Sequence, residues 1–367
     1  MREISAENDQ SPQYFLPHHA VLRPESSTTK LRTVFDASCK SQSGLSLNDV
    51  LLTGPTIQQS LIALVMRFRM HAYVVTADIA KMYRQIMVHP TDQPLQRIYW
   101  RDDKNTTLKI FQLQTVTYGT NFYMDDLLTG CEDLNKLKET CSQLVSMLDS
   151  AGFQLRKFSS NSQDVLNMIP EHLRESKTIL EFESGSSIKT LGLLWEPASD
   201  FISYNVPDWS PIERYTKRIM LSRMSSLFDS LGLLGPLVVT AKITMQLVWK
   251  EQIPWDSTLP PVIRQMWEEY QVQVAQIRNI RIPRFVLSLC KNSALQMHGF
   301  CDASMQAYGA CIYVRSIAPD EYCTVRLIAT KSRVAPLEVK SIARLELCAA
   351  LLLSQLTNTV LDSIGRV

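Results

Sequence analysis

The feature that most constrains this chain is a pair of adjacent carboxylates, Asp125-Asp126, set between two apolar runs, Phe122-Tyr123-Met124 and Leu127-Leu128. Apolar runs are buried as strands, and ionised carboxylates stay out of a core unless they are paired or bind a cation. The acidic pair is therefore expected at a tight turn between two strands, with both charges at one edge of a sheet. Asp78 has the same character, because it closes the apolar strand Val75-Thr76-Ala77-Asp78-Ile79. Each has a plainer reading on its own. An Asp at a strand end commonly caps a helix or forms a turn, and an acidic pair commonly makes a solvated hairpin tip. Together they supply the converging oxygen ligands that magnesium requires.

Composition describes what surrounds these groups. Of the 367 residues, 45% are hydrophobic and 20% charged, a globular balance with room for two or three domains. The net charge of +2 is nearly neutral, so a nucleic-acid partner would be held by local basic clusters. The eight cysteines form no C-x-x-C pair, and the six histidines are not at zinc-ligand spacing beside them. Neither a disulfide framework nor structural zinc is expected, and cysteines in apolar runs, such as Cys301 and Cys348, point to a reducing, intracellular compartment. The first ten residues lack the apolar core of a signal peptide, and the stretch from Leu231 to Trp249 is broken by Gly235-Pro236 and Lys242, so no membrane span is expected.

Periodicity organises the rest. Residues 1–13 are polar and read as a flexible N-terminus. Over 14–204 the pattern predicts a strand-like segment that opens at 17–21 and continues through 31–35, a helix over 57–70 and a strand at 73–77. A hairpin follows from 97–100 and 108–113, then a helix over 133–151 closed by Gly152, and strands within 178–204. Residues 205–290 read as helical, with proline-marked breaks at 236, 254 and 260–261. From 291 the pattern returns to strands, at 297–301, 307–314 and 325–329, before a strong helix over 342–359. The expected class is α+β.

Tyr123-Met124-Asp125-Asp126 is similar to the signature tetrapeptide of reverse transcriptases, and Asp78-Ile79-Ala80-Lys81-Met82-Tyr83 looks like their first metal motif. Pro17-His18-His19-Ala20-Val21, Arg32-Thr33-Val34-Phe35-Asp36-Ala37-Ser38 and Leu45-Ser46-Leu47-Asn48-Asp49 resemble the BEL/Pao family of long-terminal-repeat retrotransposons. So do the segment from Ala151 to Asn161, the Leu191-Gly192 strand and Ser332-Arg333-Val334-Ala335-Pro336-Leu337. The resemblance implies a right-hand polymerase with fingers and palm over 14–204, a helical thumb or connection over 205–290, and a truncated ribonuclease H-like α/β domain over 291–367. It implies RNA-directed DNA polymerase activity on an RNA template, a DNA primer, their RNA-DNA hybrid and deoxynucleoside triphosphates, in a cytoplasmic setting such as a virus-like particle.

The same resemblance assigns roles. Asp78, Asp125 and Asp126 would bind two magnesium ions, one activating the primer hydroxyl and the other holding the triphosphate. Arg32, with Lys30 nearby, would grip that triphosphate through bidentate donors, although a lone Arg on a strand is otherwise a surface residue. Tyr83 falls where related polymerases place an aromatic that excludes the ribose 2′-hydroxyl, or else it packs in the core. Tyr118 and Gly119 would line the nucleotide site. Lys157 resembles the basic residue that protonates pyrophosphate, or is a solvated strand lysine. Leu191-Gly192 loosely matches the primer-grip hairpin.

Phe300-Cys301-Asp302-Ala303-Ser304 and Arg344-Leu345-Glu346-Leu347-Cys348 resemble the start of a ribonuclease H-like domain, in which Asp302 and Glu346 would hold magnesium. Two further acidic residues normally come from a later strand and helix, so nuclease activity from this chain alone is not expected. Tyr118-Gly119-Thr120 runs directly into Asn121-Phe122, where the resemblance leads one to expect an intervening helix. Losing that helix would expose apolar sheet surface, at about 1.5 to 3 kcal/mol for each large side chain. A catalytically dead nucleic-acid-binding remnant is therefore a second reading. The Asp-Thr/Ser-Gly turn of an aspartic protease is absent, and no protease activity is expected.

Overall fold

The computed structural model describes residues 1–4, 13–22, 30–52, 54, 59–116, 126–175, 188–190, 193–204, 206, 209–288, 293–319 and 322–365. Strand β1 (Arg2–Ile4) is followed by the hairpin of β2 (His18–Leu22) and β3 (Leu31–Phe35), in which His18 lies opposite Phe35. The short α1 (Leu47–Val50) starts at a capping box. The Ser46 hydroxyl accepts from the Asp49 N–H, and the Asp49 carboxylate accepts from the Ser46 N–H, which holds that carboxyl below its usual range. Helix α2 (Leu61–Met70) is shorter than the periodicity suggests. Its cap is Ser60, whose hydroxyl accepts from the Ala63 N–H, and residues 57 and 58 lie outside the described residues.

Next come β4 (Tyr73–Ile79), α3 (Met82–Gln85), β5 (Arg97–Trp100) and β6 (Lys109–Gln112). The expected hairpin forms, with Arg97 opposite Gln112 and Trp100 opposite Lys109. The expectation of a flexible N-terminus is corrected in part, because Arg2, Glu3 and Ile4 pair with Gln112, Phe111 and Ile110. The outer edge of β6 offers unpaired N–H and C=O groups, and any nearby extended segment gains by meeting them. Leu16, Ala37, Leu47, Ile98 and Leu113 form the core of this region.

Strands β7 (Asp126–Cys131) and β8 (Leu155–Ser160) flank β4 antiparallel, in the order β7-β4-β8. Between them runs α4 (Leu134–Ser150), capped by Asp133, whose carboxylate accepts from the Lys136 N–H at 2.9 Å. It ends at Gly152, whose φ of +80° is the left-handed conformation a helix stop needs. With α5 (Gln163–Met168), α4 covers one face of the sheet: Val75, Ala77, Leu155 and Phe158 pack with Leu137, Cys141 and Val165. Val74, one residue out of step with Val75, packs on the opposite face with Phe68 and Trp195.

Strands β9 (Ile188–Thr190), β10 (Leu193–Glu196) and β11 (Phe201–Ser203) precede three helices, α6 (Lys217–Ser225), α7 (Gly235–Lys250) and α8 (Pro261–Ala275), and β12 (Ile282–Pro283) closes that sheet beside β11. The prolines at 236 and 261 occupy first turns, where a missing N–H costs nothing. The long strands β13 (Ala294–Ala303), β14 (Ala307–Ile317) and β15 (Cys323–Val334) form an antiparallel sheet, and α9 (Ile342–Ile364) lies across it. By length and composition α9 is apolar enough to cross a membrane, yet its stripe of Leu345, Ala349, Leu352, Leu356 and Val360 is buried in this fold.

One core joins these parts. Val65 and Met66 of α2 pack in the same cluster as Met245, Trp267, Ile312, Leu352 and Val360. Two buried arginines stitch its polar seam. Arg69, at the end of α2, donates to the carbonyls of Arg284, Ile328 and Pro283, and burial pulls its guanidinium down to about 10. Arg284 donates to both oxygens of Asp200, at 2.6 and 2.8 Å, and to the carbonyls of Phe68, His71 and Ala72. Asp200 also accepts from Trp195 and Asn161.

A tight approach of α7 to β15 sets a second constraint. Gly232 has φ of +73°, and a Cβ there would lie 2.1 Å from the Thr330 carbonyl oxygen. Gly232→Ala is expected to destabilise the protein by about 2 to 4 kcal/mol, combining overpacking with a left-handed backbone. Urea denaturation measures this, and a loss below about 1 kcal/mol would show that the approach is not tight.

Candidate active site

Asp78 lies on the central strand of the β7-β4-β8 sheet, and alternation decides where it points. Val75 and Ala77 face α4, so Val74, Thr76 and Asp78 face the other way. Asp126 is directly opposite Asp78 in the β4–β7 register, and cross-strand partners share a face. Leu128, two residues on, packs against Val74 and Trp195, which places that part of β7 on the same side. Two carboxylates from separate parts of the sequence therefore meet at one end of the sheet. Asp125 lies outside the described residues, and among those described no cluster of three potential metal-ligating side chains forms.

On the other side of Asp78 the sheet is irregular. Thr76 pairs with Ser159, but Asp78 pairs with Arg156, so β8 carries one residue more than β4 across this step. The extra residue makes a β-bulge, with Lys157 in the left-handed region at φ +55°. A non-glycine residue held there costs about 1 kcal/mol or more. The bulge lets Leu155 and Phe158 both reach the core, three positions apart where a regular strand would space them by two. Arg156 and Lys157 consequently turn to the same side. Arg156 Nη2 is 3.2 Å and Lys157 Nζ 3.3 Å from one oxygen, Oδ2 of Asp78.

The second oxygen, Asp78 Oδ1, is buried and has no hydrogen-bond partner among the described residues. A carboxylate oxygen in that state is costly unless a cation meets it. Asp78 and Asp126 thus fit a divalent ion by donor type and by the vacant acceptor. Glu175 stands beside the bulge, its N–H donating to the Phe158 carbonyl at 3.0 Å. Burial pushes its carboxyl above the usual range, with Lys157 and Arg156 opposing that rise and Asp78 adding to it. The sequence assigned no role to Arg156 or Glu175. The three-residue spacing of Leu155 and Phe158 was the available sign of the bulge, and nothing local marks Glu175.

The other candidates are placed as follows. Tyr83 is half-buried on α3, which begins after Lys81 turns the chain at φ +51°. Lys30 is exposed and leads into β3, which carries Arg32, on the β2–β3 hairpin. Tyr118, Gly119, Leu191 and Gly192 lie outside the described residues, as does the Thr120–Asn121 junction. Asp302 is exposed on β13, its carboxylate accepting from the Ala303 N–H at 2.9 Å. Glu346 is exposed on α9, next to the buried Leu345. The packing of α9 on β13 and β14 brings the two elements that carry this pair together.

The fold matches two solved structures. One is the foamy viral protease-reverse transcriptase in complex with RNA/DNA hybrid, at a TM-score of 0.57 and 12% identity over 97% of this chain and 44% of that one. The other is a foamy viral protease-reverse transcriptase in complex with ds DNA, at 0.56 and 14% identity over 96% of this chain and 57% of that one. This chain spans less than two thirds of either. A search of curated proteins found no match. The model of the Pao retrotransposon-like RNaseH-like domain matches residues 216–366. The segment from α6 through α9 is therefore similar to the Pao retrotransposon-like RNaseH-like domain, and the chain as a whole shares the fold of a retroviral-type reverse transcriptase with an RNaseH-like domain at the carboxyl end.

Proposed function

We propose that this chain is the RNA-directed DNA polymerase region of a BEL/Pao-like retrotransposon polyprotein. The observation that carries the reading is the row formed by Asp126, Asp78 and Arg156 across β7, β4 and β8, with one oxygen of Asp78 buried and unpartnered among the described residues. Asp78 and Asp126, with Asp125 beside them in sequence, would hold two magnesium ions. When bound, these ions supply a nucleophilic primer hydroxyl and neutralise charge on the triphosphate. Lys157, whose Nζ lies 3.3 Å from Asp78 in the metal-free protein, would protonate the departing pyrophosphate. Lys30 and Arg32 grip the triphosphate from the fingers, with Tyr118 and Gly119 in the nucleotide site and Tyr83 screening the ribose. Asp302 and Glu346 are two ligands of a ribonuclease H centre.

The partners of this reading are an RNA template, a DNA primer, their hybrid and deoxynucleoside triphosphates. Its setting is a reducing cytoplasm, which suits the exposed thiols of Cys39 and Cys323. A competing reading, a nucleic-acid-binding remnant without catalysis, is favoured by the direct passage from Thr120 to Asn121. Primer extension separates the two. The polymerase adds deoxynucleotides to a DNA primer on an RNA template only when magnesium is supplied. A remnant binds the hybrid, with affinity that falls steeply as salt rises, and adds none with or without the metal.

A further inference from the structure

Two cations on one carboxylate oxygen is an unusual arrangement. Arg156 and Lys157 carry like charges on adjacent residues, and they meet at Asp78 Oδ2 only because the bulge holds Lys157 in a left-handed conformation. The two are not equally free to leave. The two side chains are similarly exposed, at 30% and 35%, but Arg156 carries a planar fork whose Nε is buried, whereas Lys157 ends in a single ammonium on a flexible stem. A second carboxylate lies near Lys157, since the Glu175 N–H docks on the Phe158 carbonyl within the bulge and the Lys157 charge opposes the burial-driven rise of the Glu175 carboxyl.

We propose that Arg156 and Lys157 form a displaceable clasp on Asp78, holding its carboxylate in the metal-free palm, and that Lys157 passes to Glu175 when a divalent cation takes Asp78. The inference rests on the palm reading above. It makes Arg156 a positioning residue and Lys157 a direct competitor of the metal. No bond is made or broken; one ion pair, Lys157 with Asp78, is exchanged for another, Lys157 with Glu175.

The experiment is direct binding of manganese alone to the full chain, by titration calorimetry or electron paramagnetic resonance, with Asp78→Asn as the control for binding at this site. Lys157→Gly and Lys157→Asn both suit a left-handed backbone, so each removes the competing charge while keeping the bulge. Either variant is expected to bind manganese roughly fivefold tighter, which corresponds to losing a competing ion pair worth about 1 kcal/mol. Glu175→Gln is expected to weaken binding a few-fold in the wild type and to have no effect in Lys157→Gly, because the acceptor matters only if the lysine moves. If wild type binds manganese at Asp78 but the Lys157 variants bind equally or more weakly, the clasp is overturned and the palm reading stands. If neither wild type nor the variants bind above the Asp78→Asn level, both are overturned.

Discussion

Arg284→Ala is expected to lower stability by about 3 to 5 kcal/mol, the loss that follows removal of one partner from a buried ion pair. Arg284 is fully buried, and its guanidinium meets Asp200 with two parallel bonds while satisfying the carbonyls of Phe68, His71 and Ala72. Alanine would leave the Asp200 carboxylate with Trp195 and Asn161 among the described residues, and would strip the Arg284 donors from the carbonyls of Phe68, His71 and Ala72, of which Ala72 keeps Asn161. Those carbonyls lead into β4, which carries Asp78, so the seam between the β7-β4-β8 sheet and the segment around Arg284 loosens with them. Arg284→Lys should recover only part of the loss, because one ammonium cannot span both oxygens of Asp200 and three carbonyls. Urea denaturation with the wild type and both variants measures the effect. A loss under about 1 kcal/mol for Arg284→Ala would mean that this seam behaves like a surface pair.

Asp78→Asn is expected to cut nucleotide incorporation by at least about a hundredfold, since several kcal/mol of charge stabilisation are at stake and each decade is about 1.4 kcal/mol. The amide keeps the shape and removes the charge. It also leaves Arg156 and Lys157 facing each other without the anion between them, so the metal-free protein should itself lose about 1 to 3 kcal/mol. A purely structural Asp78 would give the second effect without the first. Comparing incorporation below the unfolding transition with the shift in that transition distinguishes the two cases.

Much of this fold is legible in the sequence because it is written in local periodicity. The helix that became α4 announces itself by its apolar repeat, by Asp133 at its start and by Gly152 at its end, and the β5–β6 hairpin by its alternation. The Asp78 and Asp126 strands could be read in the same way, and their pairing sets Asp78 opposite Asp126. What could not be read depends on contacts between distant residues. Arg69 and Arg284 look like ordinary basic residues in the sequence, and only the folded chain shows them sharing carbonyls more than 200 positions away. The bulge that turns Lys157 toward Asp78 requires β8 to be paired with β4, and β1 forms because β6 has a free edge. Arg156, given no role beforehand, acquires one solely from register.

The most direct measurement is single-nucleotide incorporation onto a DNA primer annealed to an RNA template, with purified wild type and Asp126→Asn, in magnesium and in chelator. The wild type is expected to incorporate nucleotide in magnesium only, and the variant to fall by at least about a hundredfold while hybrid binding and the unfolding transition remain. Folded wild-type protein that binds the hybrid but adds no nucleotide, or an Asp126→Asn variant that adds it as fast as wild type, would contradict the polymerase reading.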